Sequence, residues 1–193
     1  MIKIININNS ENRIKEIING QIYYMLPGIS PHGRVISRLS QEFYKFFPDR
    51  KCEVLSEGLN VFLEGEESED FVVPDLVIIC DKSKFSIRGY EGAPTLVAEV
   101  LSQKTAKKDK EEKLSAYEKA GVKEYWIVNI KDKSVEQRVL IEGKYKLVNI
   151  AFILDKEDYR DIEEDKIDKL SKLKCHVFED LTIDLNGIFD FLI

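Results

Sequence analysis

Glu99 is a carboxylate inside an otherwise apolar run, TLVAEVLS (residues 95–102). Side chains alternate along a strand, so Val97, Glu99 and Leu101 are expected to share one face. A buried carboxylate is costly unless a cation or hydrogen-bond donors compensate it. The sequence therefore predicts that Glu99 has a compensating partner, unless it lies exposed at the end of its strand.

Asp75 belongs to a second apolar run, FVVPDLVIICD (residues 71–81). Pro74 cannot donate a ladder hydrogen bond, so we expect an irregular point in the strand from which Asp75 projects. If Asp75 and Glu99 come together, they repel each other unless a proton or a cation lies between them. Mg²⁺ prefers oxygen ligands of this kind. The alternative is that both acids cap loops or pair with surface lysines.

Lys113 falls on the apolar side of a helix predicted over Thr105–Ala120 and closed by Gly121. At 100° per residue, Lys113 lies about 20° from the centre of the buried arc, near Tyr117. Lysine is almost never fully buried without a partner. Lys113 is therefore predicted to point at the sheet carboxylates, where it would hold a water or stabilise charge on a phosphate. The alternative is an ordinary helix ion pair with Asp109.

Several elements must position these residues. Asn19-Gly20 predicts an N-terminal β-hairpin, and a helix with apolar spacing follows until Pro48. Strand-like runs then alternate with the lysine-rich helix, and a second hairpin turns at Glu142-Gly143. This order predicts an α/β (α+β) fold with a mixed central sheet flanked by helices. A charged segment at about residues 155–174 is predicted to be a peripheral helix.

The composition limits the function classes. The chain has 193 residues, 44% hydrophobic and 33% charged, which predicts one folded domain over 1–193 rather than a disordered chain. The net charge of −6 is evidence against a general nucleic-acid coat protein. No apolar run reaches the length of a membrane span, and the start has no secretory pattern. Cys52, Cys80 and Cys175 form no CxxC pair and are expected to be reduced packing thiols in a cytoplasmic protein.

The chain resembles a known family in several of its segments. The matching segments are INGQIYYML, SPHGRVISRL, VVPDLVII, GAPTLVAEVLSQKTAKKDKEEKLSAYEKAGVKEYWIVN and VFEDLTIDLNGIF. In this order they resemble the Uma-two family of restriction-endonuclease-like proteins, within the PD-(D/E)XK nuclease superfamily. The resemblance implies a restriction-endonuclease-like core and covers most of the chain.

The resemblance also implies site residues. Asp75 would be the PD acid and Glu99 the second acid, and together with the Val100 main-chain carbonyl they would hold Mg²⁺, for which Mn²⁺ can substitute. Many superfamily members carry the lysine two residues after the second acid, but Leu101 stands there. In this family the lysine has moved to the following helix, where Lys113 matches.

Two further residues match less specific positions of the family, His32 at the start of the first long helix and Glu57 in LSEG. Each could support the site by approaching metal or phosphate, or could be structural. The implied activity is Mg-dependent hydrolysis of phosphodiester bonds in nucleic acid, with DNA as the expected partner. The alternative is an inactive nuclease-like fold that binds nucleic acid or protein. Cutting both strands of a duplex would suit a homodimer, for which no segment specifies an interface.

Overall fold

The computed structural model describes residues 15–24, 30–101, 109–154 and 164–192, with backbone alone at positions 109, 110, 164 and 165. The helices are α1 (Ser30–Phe46), α2 (Leu114–Ala120), α3 (Glu164–Leu170) and α4 (Leu185–Phe189). A π-helical turn, Asp109–Lys113, leads directly into α2. The strands are β1 (Lys15–Ile18), β2 (Gln21–Tyr24), β3 (Glu53–Ser56), β4 (Val61–Phe62), β5 (Leu76–Ile79), β6 (Phe85–Ser86), β7 (Gly89–Glu91), β8 (Leu96–Val100), β9 (Glu124–Asn129), β10 (Ser134–Ile141), β11 (Lys144–Phe152), β12 (Lys172–Lys174) and β13 (Thr182–Asp184).

A six-stranded sheet in the order β11-β10-β9-β8-β5-β3 forms the centre of the fold. The β8 and β9 strands run parallel, as expected for strands joined through a helix, and the other neighbours are antiparallel. The predicted mixed central sheet is therefore confirmed. The β5 and β8 strands lie in the interior of the sheet, and every residue of both is buried.

The two faces of the sheet pack different elements because side chains alternate along each strand. Leu76, Ile78 and Ala98 pack on the face covered by α1 and α4. On the opposite face, Val77 and Val97 pack in a second cluster, which includes Ile18 of β1, Tyr117 of α2 and Tyr125 of β9. Helices thus flank both faces, and the face that carries α2 also carries the N-terminal hairpin.

The two predicted hairpins form, and both have turns with two successive positive φ angles. Asn19 and Gly20 have φ angles of 51° and 73°, and Glu142 and Gly143 have 52° and 76°. Two successive positive φ angles are the signature of a type I′ turn, whose twist matches that of the flanking strands. The β1–β2 hairpin lies outside the central sheet and is joined to the chain through an isolated bridge between Ile17 and Phe71.

The charged segment 155–174, predicted to be a helix, is helical in only part of its described length. Glu164–Leu170 is helical, but Lys172–Lys174 is a strand that pairs with β13. Leu173 sits opposite Ile183 and is fully buried, so core packing determines a strand at the end of the segment. Residues 155–163 lie outside the described part of the chain, as do residues 105–108 of the predicted lysine-rich helix. No helix in the described ranges is both long and apolar enough to cross a membrane.

The prediction of three reduced cysteines is wrong for two of them. Cys52 and Cys80 form a disulfide, whereas Cys175 is free and buried. Residues Glu53 and Ile79 are partners in the antiparallel β3–β5 pair, so the next position outward brings the two cysteines opposite each other. Distance in sequence hid this contact, because strand register places them side by side despite a separation of 28 residues.

We expect reduction of this disulfide to lower the free energy of unfolding by about 3 kcal/mol, because the open chain gains loop entropy when it unfolds. Urea unfolding followed by circular dichroism, with and without dithiothreitol, measures the difference. A Cys52→Ala/Cys80→Ala variant should match the reduced protein and should not respond to dithiothreitol. A loss below about 1 kcal/mol on reduction would contradict this role for the disulfide.

Candidate active site

Asp75 lies at a bend immediately before β5, not inside the strand as the sequence had suggested. Leu76 pairs with Ala98, so continuing the register by one residue places Asp75 opposite Glu99. Pro74 interrupts the ladder here, and the Asp75 side chain turns back to accept a 2.7 Å hydrogen bond from the Val100 main-chain N–H. The carboxylate is thereby fixed against the end of β8.

His32 and Glu57 join Asp75 in one group of potential ligands. Each side chain offers one potential metal-ligand atom, and these three atoms all lie within 4.8 Å of one another. His32 Nε2 lies 3.2 Å from Asp75 Oδ2, and His32 comes from the first turn of α1. Glu57 has a left-handed backbone (φ 46°), and its N–H donates to the Asp75 carbonyl at 3.1 Å. A left-handed conformation is unfavourable for glutamate, which is a cost often found at functional positions.

The His32 ring is the electrostatic centre of this group. Its side chain is only 11% exposed, and this burial by itself lowers the pKa of the imidazole. The hydrogen bond to Asp75, the charges of Asp75 and Glu57 and a backbone interaction with Val100 outweigh burial, so the pKa of His32 is raised above its ordinary value. His32 Nδ1 is buried without a hydrogen-bond partner, and the Glu57 Oε1 atom lies 3.8 Å away.

Glu99 lies in a second group, on the face of the sheet that carries α2. Its Oε1 atom accepts hydrogen bonds from Lys113 Nζ at 2.8 Å and from the Tyr117 hydroxyl at 2.7 Å. Burial and the nearby Glu99 charge raise the pKa of Tyr117 well above its ordinary value, so the phenol stays a neutral donor. Lys113 is 1% exposed and Glu99 is 2% exposed. The acid in the apolar strand is therefore buried and compensated by two donors.

Glu16 completes this second group and was not identified from the sequence. It is fully buried, its Oε1 atom lies 2.7 Å from Lys113 Nζ, and it accepts a 2.8 Å hydrogen bond from the Val73 N–H. The alternation of side chains along the first strand of the predicted hairpin could have indicated that Glu16 is buried. Glu16 shares the face of β1 that carries Ile18, and this face is buried.

The Lys113 side chain starts from an unusual backbone position. Lys113 is the last residue of the π-helical turn and the residue immediately before α2. Such turns are rare and occur frequently at functional sites. Tyr23 of the hairpin donates a hydrogen bond to Glu112 in the same turn. The hairpin therefore contacts the turn that carries the lysine at two adjacent residues.

The predicted site residues thus fall into two adjoining groups. The first contains Asp75, His32 and Glu57, and the second contains Glu99 and Lys113. The groups meet at the end of β8, where Glu99 supplies a side chain to the second group and its neighbour Val100 supplies a main-chain N–H to the first. The described contacts join Asp75 and Glu99 through the backbone of β8.

Comparison with known proteins places this chain in a family. The model of the Uma2 family, described as "Putative restriction endonuclease", matches residues 3–165. The uncharacterized protein sll1609 from Synechocystis sp. is 30% identical over 104 residues, which span 53% of this chain and 58% of that protein.

A solved structure supports the fold. The crystal structure of a "putative nuclease belonging to DUF820" from Anabaena variabilis is similar over 93% of this chain and 91% of that chain, with a TM-score of 0.67 and 16% identity. At this identity the likeness concerns the fold, and it confirms the predicted nuclease-like α+β core. Because the family model covers most of the sequence, the chain belongs to the Uma2 family of restriction-endonuclease-like proteins.

Proposed function

We propose that this chain is a metal-dependent nuclease that hydrolyses phosphodiester bonds in DNA, with Mg²⁺ as its cofactor and Mn²⁺ as a substitute. The observation that carries the proposal is the pairing of a potential metal site, His32–Glu57–Asp75, with a buried lysine held by Glu99. Membership in a family described as restriction-endonuclease-like supports the same reaction class.

The residues of the first group fit a divalent cation. Two carboxylates supply the hard oxygen ligands that Mg²⁺ and Mn²⁺ prefer, and the imidazole adds a nitrogen ligand of the kind that transition-metal ions bind. The buried Nδ1 atom of His32 has no hydrogen-bond partner, and its 3.8 Å separation from Glu57 Oε1 is too long for a hydrogen bond. A cation held by both atoms would satisfy this nitrogen.

The proposed reaction is attack of water on the scissile phosphorus. The water oxygen bonds to phosphorus and loses a proton to solvent or a nearby base, while the bond to the leaving oxygen breaks and that oxygen is protonated. A bound divalent ion would lower the pKa of the water and offset negative charge on the phosphate. The Lys113 ammonium stabilises the charge that develops on the phosphate oxygens. Glu99 orients Lys113, and Tyr117 in turn holds Glu99.

All three metal ligands predicted from the family stay predictions: Asp75, Glu99 and the Val100 main-chain carbonyl. Asp75 belongs to the first group, whereas Glu99 and the Val100 main-chain carbonyl are not part of it. Glu99 and Val100 belong to the end of β8 that Asp75 contacts, which is the observation that favours them.

The cellular setting follows from the substrate. A nuclease that acts on cellular DNA is expected to work in the cytoplasm, although the Cys52–Cys80 disulfide is a feature more typical of oxidising compartments. A homodimer would present two copies of the site to the two strands of a duplex. The alternative function is an inactive nuclease-like module that binds nucleic acid or protein. The net charge of −6 favours this alternative, because an acidic protein attracts the DNA backbone only weakly. Cleavage assays distinguish the two functions.

We expect the purified protein to cleave DNA with Mg²⁺ or Mn²⁺ and to stop when EDTA is added. Asp75→Asn should lower kcat at least about 10²-fold, because it removes a charge from the group proposed to bind the metal. Gel assays on single-stranded and duplex DNA and on RNA measure the rates. The matched control is Asp180→Asn, at an exposed position.

Metal-dependent cleavage by Asp75→Asn at the wild-type rate would overturn the proposed site. A wild-type protein that binds DNA in a filter assay without cutting any of these substrates would instead support the binding module.

A further inference from the structure

Glu16 and Glu99 converge on one ammonium group inside the protein. Their Oε1 atoms lie 2.7 and 2.8 Å from Lys113 Nζ, and none of the three side chains is more than 2% exposed. Two carboxylates this close in a medium of low dielectric require either a proton or a positive charge between them. Lys113 supplies the positive charge directly.

The same arrangement of charges is known from sites that bind two metal ions. In those sites carboxylates surround a second divalent cation, which neutralises charge on the phosphate from the other side. Here the first group, His32–Glu57–Asp75, has ligand atoms suited to one ion. The second pair of carboxylates contacts a lysine instead.

We propose that the Lys113 ammonium takes the place of a second metal ion and that Glu16 is the positioning residue that fixes it there. The proposal deepens the proposed function and rests on it for the ion at His32, Glu57 and Asp75. It assigns the chain a single divalent ion, with Lys113 as a second cation supplied by the protein.

The surroundings of Glu16 support a fixed cation position. The Val73 N–H donates to the same Glu16 oxygen that contacts Lys113, which restrains the carboxylate. Tyr117 restrains the Glu99 oxygen in the same way. Both acceptor atoms are thus held from outside the ion pair. Because the acids are fixed independently of the lysine, we expect their positions to persist when the lysine is shortened.

A lysine in this position differs from a metal ion in one chemical respect. An ammonium group donates hydrogen bonds and cannot coordinate water as a Lewis acid. Lys113 would therefore stabilise phosphate charge without activating a nucleophile. Water activation would then depend on the first group alone.

Counting bound Mn²⁺ tests the proposal without a cleavage assay. Isothermal titration calorimetry and the electron paramagnetic resonance signal of free Mn²⁺ give the number of ions per chain. We expect one ion for the wild type and two for Lys113→Ala, because the vacated position lies between two carboxylates. The double variant Glu16→Gln/Lys113→Ala should return to one ion. The control Lys119→Ala removes a lysine from an exposed pair with Glu64 and should bind one ion.

The outcomes separate this inference from the proposed function. Two ions on the wild type would overturn the inference, as would a folded Lys113→Ala variant that still binds one. No ion on the wild type would overturn the proposed metal site, and the role of Lys113 would then depend on whether Lys113→Ala gains an ion. If Lys113→Ala is unfolded without metal, Mn²⁺-induced recovery of its circular dichroism spectrum supports the inference and a lack of recovery contradicts it.

Discussion

On the proposed function, Lys113→Met is expected to lower kcat for DNA cleavage about 10³-fold, because it removes the fixed positive charge proposed to stabilise the transition state. Methionine nearly keeps the length and the apolar stem of lysine, so the volume filled by the side chain changes little. An interaction made only in the transition state lowers kcat and kcat/KM equally, so KM should stay nearly constant. Steady-state kinetics on a labelled duplex with Mg²⁺ measure both constants.

Loss of fold must be distinguished from loss of catalysis, because Lys113→Met leaves Glu16 and Glu99 buried without their shared ammonium. The double variant Glu16→Gln/Lys113→Met removes one of these charges and should be more stable than the single variant yet equally inactive. Lys119→Met, on the exposed side of α2, should keep wild-type kinetics. A folded Lys113→Met variant with kcat close to wild type would remove Lys113 from the mechanism.

Glu124→Ala is expected to lower the free energy of unfolding by about 3–5 kcal/mol, since it leaves several buried donors without an acceptor. Glu124 is fully buried at the start of β9. Its Oε1 atom accepts hydrogen bonds from the side chains of Trp126 and Gln137, each at 2.6 Å. Its Oε2 atom accepts from the main-chain N–H groups of His176 and Val177, at 3.0 and 2.8 Å. One carboxylate thus attaches the C-terminal segment to the sheet.

Urea unfolding followed by circular dichroism measures this loss. Glu124→Gln should be milder because the amide keeps one acceptor oxygen. Glu136→Ala is the matched control, because Glu136 lies in a partly exposed ion pair with Arg138 and should cost less than about 1 kcal/mol. A loss below about 1 kcal/mol for Glu124→Ala would show that the donors find water instead.

The sequence predicted elements better than it predicted contacts between them. The Asn19-Gly20 turn follows from local chemistry, since asparagine and glycine both adopt positive φ angles readily. In the second turn only Gly143 does so readily, and Glu142 adopts a positive φ angle despite its side chain. The buried orientation of Lys113 followed from helical periodicity, even though a π-helical turn precedes α2. Periodicity sufficed because Lys113 and Tyr117 lie four residues apart, across the start of α2.

Strand register and contacts between distant segments could not be predicted from the sequence. Nothing local indicates that Cys52 and Cys80 are neighbours or that Glu16 reaches Lys113, because each contact depends on how separate elements dock. The same limit applies to Glu99. Its burial was predictable from the apolar run, but its contacts with Lys113 and Tyr117 depend on how α2 docks on the sheet. Glu124 lies two residues before Trp126 in β9, so the two side chains share one buried face of the strand. The sequence shows this spacing, but it does not show whether Glu124 is buried or exposed at the strand end.

The contacts of Glu16 also have a consequence for the newly synthesised chain. Glu16 binds Val73, 57 residues later, and Lys113 later still, so the lysine is held only after the hairpin, the end of β8 and α2 have docked. Contacts between distant segments form more slowly than local ones, because loop closure must precede them. A partly synthesised or partly folded chain would therefore lack the complete charge arrangement. On the proposed function, an incompletely folded chain would not yet cleave nucleic acid.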